Sequence, residues 1–214
     1  MEAVIREQDG FRLYRGYFPP GEQQELVAQV REIASHSPFY RPVLPNSGRP
    51  FSVLMTCAGP LGWVSDIHGY RYEARHPVGG TPWAPIPPVL LRLWDALAEY
   101  PAPPECCLVN FYRGKRARMG LHQDRDEDAM DAPVVSVSLG DTATFRLRLE
   151  NEKHSRSWRL RSGDVVVLDG ESRRSFHGID RIFPSSSNLL GEKGGRINLT
   201  LRRVRLPPGD AQRA

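Results

Sequence analysis

From Cys106 to Val204 the chain reads as a succession of short apolar or alternating runs separated by turn residues. The predicted strands are Cys107 to Tyr112, Pro133 to Leu139, Thr144 to Leu149, Ser157 to Leu160, Asp164 to Leu168 and Arg196 to Val204. Short strands with turns between them pack as a sandwich or close into a barrel. The run Arg196-Ile197-Asn198-Leu199-Thr200-Leu201-Arg202 constrains the choice further. Side chains alternate across a strand, so Ile197, Leu199 and Leu201 share one face while Arg196, Asn198, Thr200 and Arg202 share the other. On an edge strand the polar face simply meets water. If the strand lines a barrel, its guanidiniums point into the mouth, where a buried Arg keeps its proton and needs an anionic partner such as a dicarboxylate. Thr144 to Leu149 alternates in the same way, with a charged outer face.

A second feature is Gly120-Leu121-His122-Gln123-Asp124-Arg125-Asp126-Glu127. His122 and Asp124 are two apart, which on a strand or at its end puts both side chains on one face. Such a pair is most often part of a solvated acidic turn. Another imidazole, His177, follows the strand-like Gly163 to Leu168, and the trio has the composition of a 2-His-1-carboxylate iron site.

The N-terminal half holds a predicted strand at Phe11 to Phe18, a turn at Pro19-Pro20-Gly21, and an amphipathic helix over Glu22 to Ser35 with Leu26, Val27, Val30, Ile33 and Ala34 on its apolar face. Pro38 to Pro50 reads as a loop, Phe51 to Thr56 as a strand, and Pro88 to Glu99 as a second helix with Trp94 in the core. Trp63, Tyr70 and Tyr72 cluster around Arg71, a pattern that packs as an aromatic hairpin or stacks a nucleobase and holds its phosphates. His68 and His76 have no ligand spacing and read as surface residues.

The 214 residues suit a single unit with 40% apolar content. Three cysteines, Cys57, Cys106 and Cys107, form no Cys-x-x-Cys pair, and Met1 to Glu7 lack the apolar run of a signal peptide; both fit a reduced cytosol. No segment is apolar enough to cross a bilayer. A net charge of +4 and a pI of about 9.1 suit an anionic partner, and equally a merely basic enzyme.

His122-x-Asp124, His177 and the Arg-x-Asn-x-Thr-x-Arg run together resemble the AlkB family of iron(II)- and 2-oxoglutarate-dependent dioxygenases, from about Phe51 to Arg202. The resemblance implies an α+β, mainly β chain: a double-stranded β-helix, or jelly roll, over 106–206, with an N-terminal extension (1–105) carrying two helices packed outside and a nucleotide-recognition lid, and a tail at 207–214. It implies iron(II) on His122, Asp124 and His177, with O2 and 2-oxoglutarate as cosubstrates. Arg196 or Arg202 would take the far carboxylate, Arg196 by the family pattern, with Arg202 near the chelated end. Asn110 and Tyr112 match the family's Asn-x-Tyr, and Asn198 points inward beside the arginines. Trp63 would stack on a flipped base, Tyr70, Arg71 and Tyr72 would hold the nucleotide backbone, and Asp126 would face the base. Asp126 and Glu127 read equally well as a solvated acidic turn.

The implied activity is oxidative demethylation of 1-methyladenine or 3-methylcytosine in alkylated DNA, single-stranded by preference, or RNA, by a cytoplasmic monomer engaged in alkylation repair and releasing formaldehyde and succinate. A related dioxygenase acting on tRNA or protein is the alternative, and a silent nucleic-acid-binding barrel a third. Three departures from the family pattern bear on substrate range. The loop before Phe51 lacks the Tyr expected in the nucleotide-gripping lid, and Arg49 stands near there. Asn151-Glu152-Lys153-His154 replaces a substrate-facing Arg. Leu168 stands for an aromatic.

Overall fold

The computed structural model describes residues 4–114 and 116–207; most of the tail expected at 207–214 lies outside them. Among the described residues the strands are β1 (Val4–Arg6), β2 (Arg12–Tyr14), β3 (Leu54–Ala58), β4 (Gly62–Asp66), β5 (Gly69–Glu73), β6 (Cys106–Tyr112), β7 (Met119–His122), β8 (Val134–Gly140), β9 (Ala143–Arg148), β10 (Arg156–Leu160), β11 (Val165–Leu168), β12 (Phe176–Ile182) and β13 (Arg196–Arg202). The helices are α1 (Pro20–His36) and α2 (Pro88–Leu97), with a 3-10 turn at Gly170–Arg174. No helix among them is long and apolar enough to cross a membrane.

A major sheet runs β1-β2-β11-β8-β13-β6-β3 and a minor sheet β10-β9-β12-β7, with β4 and β5 as a separate hairpin. The two facing antiparallel sheets make the jelly roll. Both helices begin on proline, whose fixed φ suits the first helical position and whose missing N–H would have no partner there. Leu26, Val27, Val30 and Ile33 of α1 and Leu90, Leu93, Trp94 and Leu97 of α2 are buried against the outer face of the major sheet, with Val109, Val137, Leu199 and Leu201. Each such side chain contributes roughly 1.5–3 kcal/mol relative to exposure. A second cluster, including Leu13, Met55, Leu108, Phe145, Leu147 and Ile179, fills the space between the sheets.

Helices on one face and a second sheet on the other leave the major sheet with no wet side. β13 therefore is no edge strand: it lies between β8 and β6, its apolar residues under the helices and its polar residues facing the interior. The strand expected from Phe11 to Phe18 is regular only over Arg12–Tyr14, because the chain turns at Gly16, where φ is +55°. The strand placed at Phe51 to Thr56 begins later, at Leu54.

His76 corrects the expectation of a surface residue. It is 2% exposed; its Nε2–H donates to the Pro38 carbonyl and its Nδ1 accepts from the Val78 and Gly79 amides, so it ties the proline-rich loops together. Its imidazole thereby satisfies one backbone carbonyl and two backbone amides of these loops.

Candidate active site

The space between the sheets opens at one end as a pocket of about 330 Å³. β7 is the edge strand of the minor sheet, and in its register with β12 His122 lies directly opposite His177. Their rings sit 4.7 Å apart between centroids. Gly178 allows β7 to come this close: a Cβ there would lie 2.5 Å from the Met119 carbonyl oxygen. Asp124 follows the end of β7 and turns inward, its Oδ1 3.7 Å from His122 Nε2 and its Oδ2 3.7 Å from His177 Nε2. One donor atom from each of the three lies within 4.8 Å of the others, a set able to hold one metal ion.

Local contacts prepare these donors. His122 Nδ1 is 2.9 Å from the Gly120 carbonyl and His177 Nδ1 is 3.2 Å from that of Ser175. A carbonyl only accepts, so both Nδ1 atoms carry a proton, and both Nε2 atoms face Asp124. Burial pushes His177 down to about 4, outweighing the pull of Asp124, so its imidazole is neutral at physiological pH. Burial alone would raise the Asp124 carboxyl; Arg202, His177, His122 and Arg173 overcome that and hold it well below the usual carboxylate range. Two imidazoles and one carboxylate form the donor set that suits iron(II) with open coordination positions.

Arg196, Asn198, Thr200 and Arg202 of β13 line the major-sheet wall of the pocket with Asn110 and Tyr112 of β6. The register explains the grouping, since Arg196 pairs with Tyr112 and Asn198 with Asn110. Arg202 grips Asp124 through Nε at 3.0 Å and Nη2 at 2.8 Å. Arg196 differs. It is 0% exposed, donates only to neutral oxygens of Asp141 and Ser138, and keeps a buried Nε with no partner. Burial without a carboxylate in contact lowers it to about 10. Asn110 Oδ1 is likewise buried and unpartnered. An unpaired buried cation and an unpaired amide oxygen on one wall fit an anionic ligand with polar groups. Burial raises the Tyr112 hydroxyl to about 12, so it remains a proton donor.

The sequence matches the 2OG-Fe(II) oxygenase superfamily over residues 10–202. It is 53% identical over 199 residues to the alpha-ketoglutarate-dependent dioxygenase AlkB homolog of Caulobacter vibrioides (strain NA1000 / CB15N), spanning 92% of this chain and 88% of that one. The chain belongs to the AlkB family. It is an iron(II)- and 2-oxoglutarate-dependent dioxygenase. The solved structure of OsALKBH1 superposes on this AlkB-family chain with a TM-score of 0.80 at 30% identity, covering 94% of this chain and 100% of that one. An Arabidopsis thaliana relative named DNA N(6)-methyladenine demethylase ALKBH1C is 41% identical over 231 residues, 94% of this chain and 49% of that protein.

At the pocket mouth of this AlkB-family enzyme, the β4–β5 hairpin presents Trp63 stacked on Tyr70, with centroids 5.5 Å apart and planes 20° from parallel. Trp63 Nε1 donates to Asp126 Oδ2 at 2.8 Å. Trp63, Tyr70 and Asp126 all line the pocket. Arg71 and Tyr72 are placed otherwise than expected. Arg71 alternates to the far face of the hairpin, held between Asp66 and Glu73, so its charge is already neutralised. Tyr72 turns inward and its hydroxyl donates to Glu127.

Glu127 is therefore part of the interior and no solvated turn; it is 6% exposed. It also accepts from Arg173 Nη2 at 3.1 Å and lies 3.6 Å from Arg202 Nε. Arg173 in turn donates to the Asp124 carbonyl. The network ties the hairpin to the Asp124 segment and to β13. Neither Glu127 nor Arg173 sits in a run whose periodicity announces burial. Ser136 and Ser138, which the sequence could place on the lumen side but with no role, accept from Asn198 and Arg196. Glu127→Gln removes one member of a buried charge set, and a loss of roughly 3 kcal/mol is expected, or about 6–12 °C for a domain of this size. A thermal melt measures it. A melting point within about 1 °C of wild type is the outcome that sinks this reading.

Proposed function

We propose that the enzyme oxidatively removes N-linked methyl groups from nucleobases of the 1-methyladenine and 3-methylcytosine type, in single-stranded DNA by preference, as a cytoplasmic monomer. The single observation that carries this reading is the pairing of the Trp63 ring with the Asp126 carboxylate at 2.8 Å, over the same pocket that holds His122, Asp124 and His177. Methylation at a ring nitrogen of this kind leaves a cation. A flat cation is met by an aromatic face and a nearby carboxylate. The pocket is too narrow for a duplex, so the base enters it unpaired, and the unstacking penalty is least on a single strand. The Arabidopsis relative's name, DNA N(6)-methyladenine demethylase, supports demethylation of a DNA base as the type of reaction, at an exocyclic nitrogen in that protein.

His122, Asp124 and His177 would hold iron(II) in this scheme. Arg196 would pair with the far carboxylate of 2-oxoglutarate, with Asn110, Tyr112 and Asn198 hydrogen-bonding the cosubstrate. With iron(II) and 2-oxoglutarate bound, dioxygen would be the oxidant, one atom going to succinate as 2-oxoglutarate loses carbon dioxide and the other to the methyl group. Arg202 keeps Asp124 ionised and oriented toward the two imidazoles. The buried walls, Leu108, Val134, Phe145 and Ile179 among them, exclude water from the reacting centre. Trp63 and Asp126 would place the methyl group toward the donors. Hydroxylation of that methyl gives a hemiaminal, which releases formaldehyde and the repaired base.

The test uses the iron(II)-loaded enzyme, 2-oxoglutarate and ascorbate with 1-methyladenine or 3-methylcytosine placed in a DNA oligonucleotide, an RNA oligonucleotide, or replaced by a methylated peptide. Repaired base in the DNA reaction supports the proposal. Turnover confined to RNA or peptide rejects it. Trp63→Ala removes stacking worth roughly 1–3 kcal/mol, so KM for the oligonucleotide is expected to rise about 5- to 150-fold with kcat little changed. An unchanged KM is the adverse result.

A further inference from the structure

The solvent face of the minor sheet carries cations the chemistry above does not use. Register places Arg148 beside Phe176, Arg146 beside Ser157, and Thr144 beside Arg159 and Arg181, with none of these residues lining the pocket. Three of these guanidiniums lie on aromatic rings: Arg148 is 4.5 Å from the centroid of Phe176, and Arg159 and Arg181 lie 4.5 and 5.0 Å from that of Phe183. Arg159 and Arg181 are exposed, and Arg146 and Arg148 half-buried. Among the described residues only Arg146 of the four has a carboxylate within reach, Asp180 at 3.9 Å. Rings under the guanidiniums hold them flat and extended at little cost in side-chain freedom; Arg148 Nη1 donates to the Glu152 carbonyl at 3.1 Å, and the remaining N–H edges are left to a ligand.

We infer that this face is a docking track for the phosphodiester backbone of the strand whose methylated base occupies the pocket. The inference rests on the nucleic-acid reading above. Its geometry is continuous with the site, because Phe176 immediately precedes His177 and pairs with Arg148 at the mouth end of the sheet. From Arg148 to Thr144 β9 runs about 13 Å at ~3.3 Å per residue. At the ~3.4 Å axial spacing one strand has in a stacked helix, that length matches about four phosphates. The charge also decides against a second copy of this chain as occupant, since an isologous contact would bring like-charged arginines together. Arginine with planar N–H edges is suited to phosphate oxygens in particular.

The experiment compares wild type with R148Q/R159Q/R181Q and with the charge-conserving R148K/R159K/R181K. Binding to a 20-mer single-stranded DNA containing one 1-methyladenine is followed by fluorescence anisotropy over a range of salt concentrations. Turnover is measured in parallel on a trinucleotide with the methylated base in the centre, too short to reach the track. The Gln variant is expected to bind the 20-mer roughly tenfold more weakly and to lose about two from the slope of log K against log salt. It should process the trinucleotide at the wild-type rate and melt at the wild-type temperature. The Lys variant is expected to keep most of the slope. Unchanged 20-mer affinity and slope in the Gln variant overturn the track and leave the demethylase reading standing. Equal loss on the trinucleotide also overturns it. Failure of the wild type on both oligonucleotides rejects the nucleic-acid reading, and the track with it.

Discussion

Asp124→Ala is expected to abolish turnover and to leave the protein unable to retain iron(II). The carboxylate is the one acidic donor in the cluster and stands 3.7 Å from both imidazole Nε2 atoms. It also accepts two hydrogen bonds from buried Arg202, at 3.0 and 2.8 Å. Removing it deprives that guanidinium of its nearest anion, an event that costs about 3–5 kcal/mol when one member of a buried pair is truncated. Glu127 Oε1, 3.6 Å from Arg202 Nε, offsets part of the loss. The variant should therefore melt several degrees lower and show no 2-oxoglutarate consumption. Iron content after desalting and succinate formation are the measurements. Retained iron with full activity would remove Asp124 from the metal site and leave it a purely structural partner of Arg202.

Arg196→Met is expected to act in the opposite direction on stability. This cation is fully buried, touches only neutral oxygens, and leaves Nε unpartnered. Replacing it with an apolar side chain of similar length takes an uncompensated charge out of the interior, so the protein without cosubstrate should be as stable as wild type or more so. The cosubstrate should suffer. Truncating one partner of a buried hydrogen-bonded charge pair costs about 2–5 kcal/mol, which is roughly 30- to 5,000-fold in the KM for 2-oxoglutarate. A melting curve and a 2-oxoglutarate titration separate the two effects. A marked drop in melting temperature with an unchanged KM would mean that Arg196 serves the fold and no ligand.

These opposite responses show what was legible in the sequence. The alternation of β13 named the residues on each face but did not say which face was wet; the structure answers by covering one with α1 and α2 and the other with the minor sheet. The pairing of Asn110 with Asn198 and Tyr112 with Arg196 follows from β6 and β13 being neighbours, a fact of topology that no local pattern carries. β12 escaped the strand assignment because Phe-His-Gly-Ile-Asp-Arg-Ile neither alternates nor is uniformly apolar. It is a strand because it is hydrogen-bonded on both sides, by β7 and β9. Glu127 and Arg173 were illegible for a related reason. Both are charged residues in polar runs, and only the fold brings them together with Tyr72 and Asp124. Arg71 shows the reverse error, a basic residue among aromatics whose charge two nearby carboxylates already satisfy.

The most direct test is the stoichiometry of a coupled reaction. Iron(II)-loaded enzyme is mixed with 2-oxoglutarate, oxygen and a single-stranded oligonucleotide bearing one 1-methyladenine, and succinate, formaldehyde and unmodified adenine are counted together. One formaldehyde and one adenine per succinate is the result expected of a pocket that places the methyl group over the His122, Asp124 and His177 cluster. Succinate formed without formaldehyde, at a rate the oligonucleotide does not change, would contradict it.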